Sequence, residues 1–320
     1  MNESHPVINN PLLSAMLEPL RIVFIVNPNS GTKVQQRIGQ SIERYLNHRK
    51  FLYSIWHTAY PGHATELAKK AVEEGYQVVV AVGGDGSINE VAAGLVHTEV
   101  ALGIVPAGSG NGLAMHLGYG RNMDEAIKRL NAAEPVRMDC GFLNGRPFVN
   151  MAGVGFDGMV SNLMQGQSFR GFIPYFFQSL KAGLVYQPKD CLLEFDGKVV
   201  EERCFVITVA NGVMYGYNMS IAPDARIDDG LFSVVVLKDV PKWKYFAAVR
   251  SVVTGKIYEE DFVDHYTTSE ITIKTAGENY VHFDGEGARY EGDLHFKIEP
   301  KCLNVLAPRN GPYYDSVVSS

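Results

Sequence analysis

Residues 78–86 read Val-Val-Val-Ala-Val-Gly-Gly-Asp-Gly, and an amphipathic segment opening Ser87-Ile88-Asn89-Glu90-Val91 follows at once. A β-branched run that stops abruptly in glycine implies a buried parallel strand, a tight loop and a helix start. Three glycines in four positions let the backbone fold closely and turn several N–H groups one way, a geometry suited to phosphate oxygens. Ser87 is placed to cap the following helix, whose N-terminal dipole favours an anion at the same spot. Asp85 is the odd residue. A carboxylate among phosphate-facing amides makes sense if it holds a divalent metal or accepts a proton. An ordinary junction with a turn aspartate is the alternative for so short a motif.

The rest of the chain must build a scaffold around that loop. Its 320 residues allow one large domain or two ordinary ones. With 46% hydrophobic and 20% charged residues, a packed globular protein is expected. A net charge of -6 gives no global case for nucleic acid as a partner. Cys140, Cys191, Cys204 and Cys302 lie far apart in sequence, without metal-ligand spacing, and read as reduced thiols. No Lys or Arg precedes Arg21, which argues against a secretory leader, and no apolar run reaches the length of a membrane span. The expectation is a cytoplasmic protein that can still touch a membrane surface.

Residues 1–19 read as a loose arm. Residues 21–26 form a buried strand that ends in Asn27-Pro28-Asn29-Ser30-Gly31, a succession of turn residues. Helical spacing over 33–47, a strand over 51–58, a helix over 63–74 and the central strand 77–82 follow. A helix over 88–96, a strand over 101–105 and a second Gly-rich loop, Pro106-Ala107-Gly108-Ser109-Gly110-Asn111-Gly112, come next. Helices are expected at 112–118 and 123–131. This alternation implies parallel pairing with right-handed crossovers. Three strands ending in polar or glycine-bearing loops, plus Thr58 at the end of a fourth, would meet at the carboxyl edge of the sheet, where such folds bind ligands.

Near residue 136 the pattern changes. Strands dominate, at 137–142, 147–154, 190–196, 199–210, 231–237, 268–274, 280–283, 293–298 and 302–306. Asn144-Gly145 and Asp196-Gly197 are strong hairpin signals. The fold class is thus an N-terminal parallel-sheet α/β nucleotide-binding domain followed by a mainly antiparallel β-sandwich-like domain. The expected organisation is an arm (1–19), an α/β domain (20–136), a β-rich domain (137–307) and a tail (308–320) that returns toward the first domain. Helical stretches interrupt the second domain at about 168–184 and 241–255.

Seven motifs in order carry a family resemblance. They are Asn27-Pro28-Asn29-Ser30-Gly31; Thr58 with Gly62-His63-Ala64; Gly83-Gly84-Asp85-Gly86-Ser87-Ile88-Asn89-Glu90; and Pro106-Ala107-Gly108-Ser109-Gly110-Asn111. Asn150-Met151-Ala152-Gly153-Val154-Gly155-Phe156-Asp157, Ala222-Pro223-Asp224-Ala225 with Asp228-Asp229-Gly230, and Asp284-Gly285-Glu286 complete the series. Over roughly residues 20–308 the chain resembles the diacylglycerol kinase catalytic-domain family, which includes bacterial soluble lipid kinases and the sphingosine and ceramide kinases. The resemblance implies an ATP- and Mg²⁺-dependent kinase acting on a lipid hydroxyl at a membrane surface. ATP would contact Asn27, Pro28, Asn29, Ser30 and Gly31, then Thr58, then the segment Gly83, Gly84, Asp85, Gly86, Ser87, Ile88, Asn89 and Glu90, and Ser109. It places a general base in Asp284-Gly285-Glu286 without choosing between Asp284 and Glu286, with Asp85 as the rival. It also implies a structural Mg²⁺ on Asp229 with the carbonyls of Arg226 and Leu231, against the simpler reading of a bare Asp-Asp-Gly turn.

His63 and His116 read as packing or surface residues. The aromatic stretch 169–181 is either a core helix or an amphipathic lip for a bilayer. Two departures stand out. Ser87 keeps the hydroxyl where many members carry Thr. Gly112 replaces the Asp of many bacterial diacylglycerol kinases and looks closer to the sphingosine kinase form. NAD kinase, and a non-catalytic nucleotide- or lipid-binding protein on the same scaffold, are the competing readings. Oligomeric state is left open, a homodimer included.

Overall fold

The structure, a computed structural model, describes residues 18–30, 37–164, 183, 185–216, 219–309, 311 and 313. The arm before residue 18, Gly31, the start of the first helix, the aromatic stretch 169–181 and the residues after 313 lie outside the described residues.

The first half alternates as the hydrophobic pattern requires. Strand β1 (Leu20–Val26) leads to helix α1 (Ile38–Tyr45), β2 (Phe51–His57), α2 (His63–Glu73), β3 (Val78–Gly83), α3 (Asp85–Leu95) and β4 (Ala101–Pro106). Short helix α4 (Gly112–His116) and α5 (Met123–Leu130) follow. The strands pair in parallel in the order β4-β3-β1-β2, with Val80 opposite both Phe24 and Gly103. Residues 78–82 are buried along their whole length, as a strand covered on both faces must be. Helix α5 carries every local signal at once. The Asn122 side chain accepts from Glu125 N–H at 3.0 Å, acids fill its first turn and bases its last.

The second half begins with β5 (Ala133–Leu143), β6 (Arg146–Phe148), β7 (Met151–Gly155) and helix α6 (Phe156–Met164). Then come β8 (Lys189–Phe195), β9 (Lys198–Ala210), the small pair β10 (Met214–Gly216) and β11 (Met219–Ser220), β12 (Phe232–Lys238) and helix α7 (Lys244–Thr254). Strands β13 (Val263–Thr268), β14 (Glu270–Thr275), β15 (Glu278–Phe283), β16 (Glu286–Glu291) and β17 (Leu294–Pro308) complete the chain. Pairing within this half is antiparallel. Strand β12 shows the period of two: Phe232, Val234 and Val236 enter the inner core, while Val235 and Leu237 face an outer core under α7.

Strand β17 differs from its sequence reading. Residues 293–298 and 302–306 are one strand, irregular between Glu299 and Leu303. Its first part packs Leu294, Phe296 and Ile298 in the inner β core. Its last part places Leu303, Val305 and Ala307 in the α/β core and pairs Val305 in parallel with Leu102 of β4. The two halves therefore share one continuous sheet. All four cysteines are buried and free, but they are not isolated: paired strands bring Cys140 beside Cys302 and Cys191 beside Cys204, with the Cys191 and Cys204 thiols donating to the carbonyls of Lys189 and Glu202 at 3.4 and 3.5 Å.

Candidate functional site

A cleft of about 950 Å³ opens at the carboxyl edge of the parallel sheet and is closed on its other side by the second half. Three segments of the first half reach it. Asn27, Asn29 and Ser30 follow β1, Thr58 follows β2, and Gly84, Asp85, Gly86 and Ser87 follow β3. Asn89, Glu90 and Ser109 also line it. From the second half come Arg146, Asp284 and Glu286, with Ser161 and Met164 from α6. Of the residues singled out by sequence, Pro28 and Gly83 support the loops without lining the cleft, and Ile88 is fully buried in the first core.

The turn after β3 is held by side chains already spoken for. Helix α3 begins at Asp85 with Gly84 at its cap position and no side-chain cap. Ser87 therefore does not cap the helix: it sits inside the first turn, and its Oγ accepts from Asn27 Nδ2 at 3.0 Å. Asn27 Oδ1 in turn accepts from Asn29 N–H at 2.9 Å, fixing the loop after β1. Glu90 accepts from the N–H groups of Gly62 and Ala64 at 3.0 and 3.2 Å. It thereby supplies the start of α2 with the acceptor that Gly62 lacks.

Asp85 ties the two Gly-rich loops together. Its Oδ2 accepts from Asn111 N–H at 2.8 Å and its Oδ1 from Gly112 N–H at 2.7 Å. Burial chiefly, with the Asp284 carboxylate behind it, pushes the Asp85 carboxyl up to about 6, while the two amides pull it back. The loops touch backbone to backbone. A Cβ on Gly108 would lie 2.3 Å from Gly84 Cα, which cannot yield as a flexible side chain would. Gly108→Ala is expected to part the loops, with nucleotide affinity falling and the melting transition dropping by about 1–3 kcal/mol of stability. A nucleotide titration beside a thermal melt checks this.

Asp284 and Glu286, adjacent in sequence, have different environments. Asp284-Gly285 is the two-residue turn between β15 and β16, with φ of 48° and 87°. Asp284 is 5% exposed. Its Oδ2 accepts from Val149 N–H at 2.8 Å, and its Oδ1 from Asn150 and Met151 N–H at 2.9 and 2.8 Å. Burial pushes its carboxyl up, and these amides with His282 pull it back. Both oxygens are committed to holding the chain between β6 and β7.

Glu286 is half-buried and faces the β3 turn: a Cβ on Gly86 would lie 2.7 Å from Glu286 Oε1. Arg146 Nη2 pairs with Glu286 Oε2 at 2.9 Å, and its guanidinium lies 4.1 Å from the centre of the Phe283 ring. The Glu286 carboxyl is pushed up to about 7, mainly by burial, against the pull of Arg146 and with help from the Glu90 and Asp284 carboxylates.

Sequence reasoning missed two supports of this site. Arg146 is 140 residues from its partner, and nothing local marks it. His282 is the other. Its Nδ1 accepts from Gly285 N–H at 3.4 Å and its Nε2 lies 3.1 Å from Asp157 Oδ2, which also accepts from Tyr215 Oη at 2.8 Å. That buried chain braces the turn bearing Asp284 and Glu286. His116 is a packing residue, as read: it is buried, and burial lowers its pKa to about 4. His63 accepts from Ala59 N–H at 3.0 Å and stacks on Tyr60.

The Asp229 group lies outside the cleft lining. Asp229 Oδ1 accepts from Leu231 N–H at 3.0 Å, and Arg226 pairs with Asp228 at 3.4 Å. Among the described residues no cluster of three or more His, Cys, Asp or Glu is arranged to hold a metal. Nor is any described helix long and apolar enough to cross a membrane.

Comparison with known proteins matches the chain in two parts, the first of which extends through β5. Residues 21–143 match the family described as "Diacylglycerol kinase catalytic domain". Residues 150–307 match that described as "YegS C-terminal NAD kinase beta sandwich-like domain". The chain is 26% identical over 303 residues to a diacylglycerol kinase of Bacillus subtilis (strain 168), covering 90% of this chain and 97% of that protein. It is 28% identical over 291 residues to a protein of Chromohalobacter salexigens named "Probable lipid kinase YegS-like", covering 89% and 92%. The crystal structure of a diacylglycerol kinase from Bacillus anthracis str. Sterne superposes with a TM-score of 0.68 at 21% identity, over 90% and 96% of the chains. An NAD kinase from Archaeoglobus fulgidus in complex with ATP shares the fold at a TM-score of 0.52 and 14% identity, over 93% and 98%. Matched in order over most of its length, this chain carries a diacylglycerol kinase catalytic domain followed by a YegS-type C-terminal beta sandwich-like domain.

Proposed function

We propose that the protein transfers the γ-phosphoryl group of ATP, accompanied by Mg²⁺, to a hydroxyl of a lipid. One observation carries this reading: the half-buried Glu286 carboxylate, pushed up to about 7, faces the Gly-rich turn at the start of α3 across a single cleft. A helix N-terminus with converging amides suits phosphates. A carboxylate that titrates near neutrality suits removal of a hydroxyl proton. The names of the relatives support the same class.

In this reading the amides of the Gly84–Ser87 turn and the Ser30 and Ser109 loops hold the phosphates in place. Phosphoryl transfer depends mainly on such placement and on charge stabilisation. Asp85 keeps the two Gly-rich loops in register. Glu286 takes the proton of the acceptor hydroxyl as that oxygen attacks phosphorus. Arg146, already beside Glu286, carries positive charge into the same space.

The residues fit Mg²⁺ brought in on ATP. Asp85 and Asn89 stand one helical turn apart, both line the cleft, and buried Asn89 Oδ1 has no hydrogen-bond partner among the described residues. Magnesium favours one or two such oxygens together with phosphates, and when bound it would neutralise phosphate charge.

Gly112 stands behind the cleft lining: a Cβ there would lie 2.5 Å from Met214 carbonyl oxygen and 2.8 Å from Asn150 Nδ2, so this backbone has no room for a side chain. The lipid is to be identified by assay. Labelled γ-phosphate transfer into a panel of mixed-micelle lipids, with NAD in a separate reaction, tests the proposal. Label is expected in a lipid and lost in Asp85→Ala; label in NAD alone would overturn it.

A further inference from the structure

We propose that helix α7 is the surface by which this protein docks on a bilayer bearing anionic lipid, an inference that rests on the lipid-kinase reading above. The helix has two unlike apolar faces. One, with Tyr245, Ala248 and Val252, packs into the outer core of the β-rich half, where the Tyr245 ring stacks on Phe205 with centroids 3.9 Å apart. The other is open: Trp243, just before the first turn, is 68% exposed, Val249 51% and Val253 58%. Val249 and Val253 are one turn apart, and exposed Arg250 stands beside them on the same side.

Charge selects the occupant. Residues 240–258 contain Lys242, Lys244, Arg250 and Lys256 and no acid, in a chain whose net charge is -6. Lys244 is held by Asp261 at 2.9 Å and Lys256 by Glu259 at 3.1 Å, both acids lying just beyond the segment. Arg250 has no ion pair among the described residues. An exposed apolar strip carrying Trp, flanked by bases, is the composition of a helix that lies in a membrane interface. Anionic headgroups complement those bases.

The face is also connected to the cleft. Tyr245 stacks on Phe205, Phe205 stacks on Phe156 at 4.6 Å, and Phe156 opens α6, whose Ser161 and Met164 line the cleft. A bilayer seated on α7 would be linked by packed rings to the helix that walls the site.

The protein has two tryptophans, so Trp56→Phe leaves Trp243 as the sole reporter. Vesicles of phosphatidylcholine with about one-third phosphatidylglycerol should shift Trp243 emission to the blue, and brominated acyl chains should quench it. In sedimentation with the same vesicles, Arg250→Glu should weaken binding about tenfold, and Val249→Asp/Val253→Asp should abolish it. Both variants should keep wild-type transfer to detergent-dispersed lipid.

Absence of quenching, or vesicle binding by both variants equal to wild type, overturns the proposal. So does a change in solution mass in the double variant with vesicle binding intact, which would make this a contact between copies. Binding needs no turnover, so a chain that quenches but phosphorylates no lipid loses the kinase reading alone. A chain that phosphorylates micellar lipid but is never quenched loses the docking surface alone.

Discussion

Glu286→Gln should lower kcat roughly 10²–10⁴-fold, the scale of a lost general base, while ATP affinity stays within a few-fold. Gln keeps the shape and a carbonyl oxygen for Arg146 but cannot take a proton. The wild-type pH profile follows from the same group. Its carboxyl is pushed up to about 7, so below that pH it is protonated and cannot act as a base. Activity should therefore rise with pH through about 7 and level off above it. Glu286→Gln should lose that limb and retain a low, flat residue of activity. A pH–rate series on both proteins under saturating ATP checks the prediction; an unchanged limb in the variant would assign it to another group.

Asp284→Ala should act on stability first. It removes the acceptor of three buried N–H groups, those of Val149, Asn150 and Met151. It also leaves Ala at a φ of 48°, which Asp tolerates better. Buried donors left without partners cost about 1–3 kcal/mol each, and an estimate of about 3–5 kcal/mol for the whole change is a large part of a domain's stability. The melting temperature should fall by roughly 6–20 °C at 2–4 °C per kcal/mol. Asp284→Asn should fall less, since Asn keeps one acceptor and adopts positive φ readily. If Asp284→Ala melts with the wild type and only its activity is lost, the residue is chemical and not a brace.

These two acids show what was legible in the sequence and what was not. Asp284-Gly285-Glu286 was visible as a motif, but the choice between its carboxylates was not, because it depends on amides 133 to 135 residues away. Strand β16 went unread for a related reason: Asp-Gly is a hairpin signal, and here the same residues also line the cleft. The hairpins at Asn144-Gly145 and Asp196-Gly197 were legible because turn chemistry is local, and both pairs have positive φ. The parallel half was legible for the same reason, its strands being largely apolar runs punctuated by turn residues.

Strand β17 was not. Pro300 and the positive φ of Lys301 interrupt it in sequence, yet the irregularity only bends the strand from one core into the other. Ser87 illustrates competition within a motif. A hydroxyl at a helix start suggested a cap, but the helix begins two residues earlier and Asn27 claims the oxygen. The thiol pairs Cys140–Cys302 and Cys191–Cys204 needed strand pairing that no spacing reveals.

Single-turnover transfer of labelled γ-phosphate, run with ATP-saturated wild type and Glu286→Gln and with ATP affinity measured in parallel, separates placement from chemistry in one assay. The expected result is label on a lipid hydroxyl in the wild type, a drop of at least about 100-fold in the variant, and retained ATP binding in both. Equal transfer by the two proteins, or label confined to NAD, would contradict a lipid kinase whose proton acceptor is Glu286.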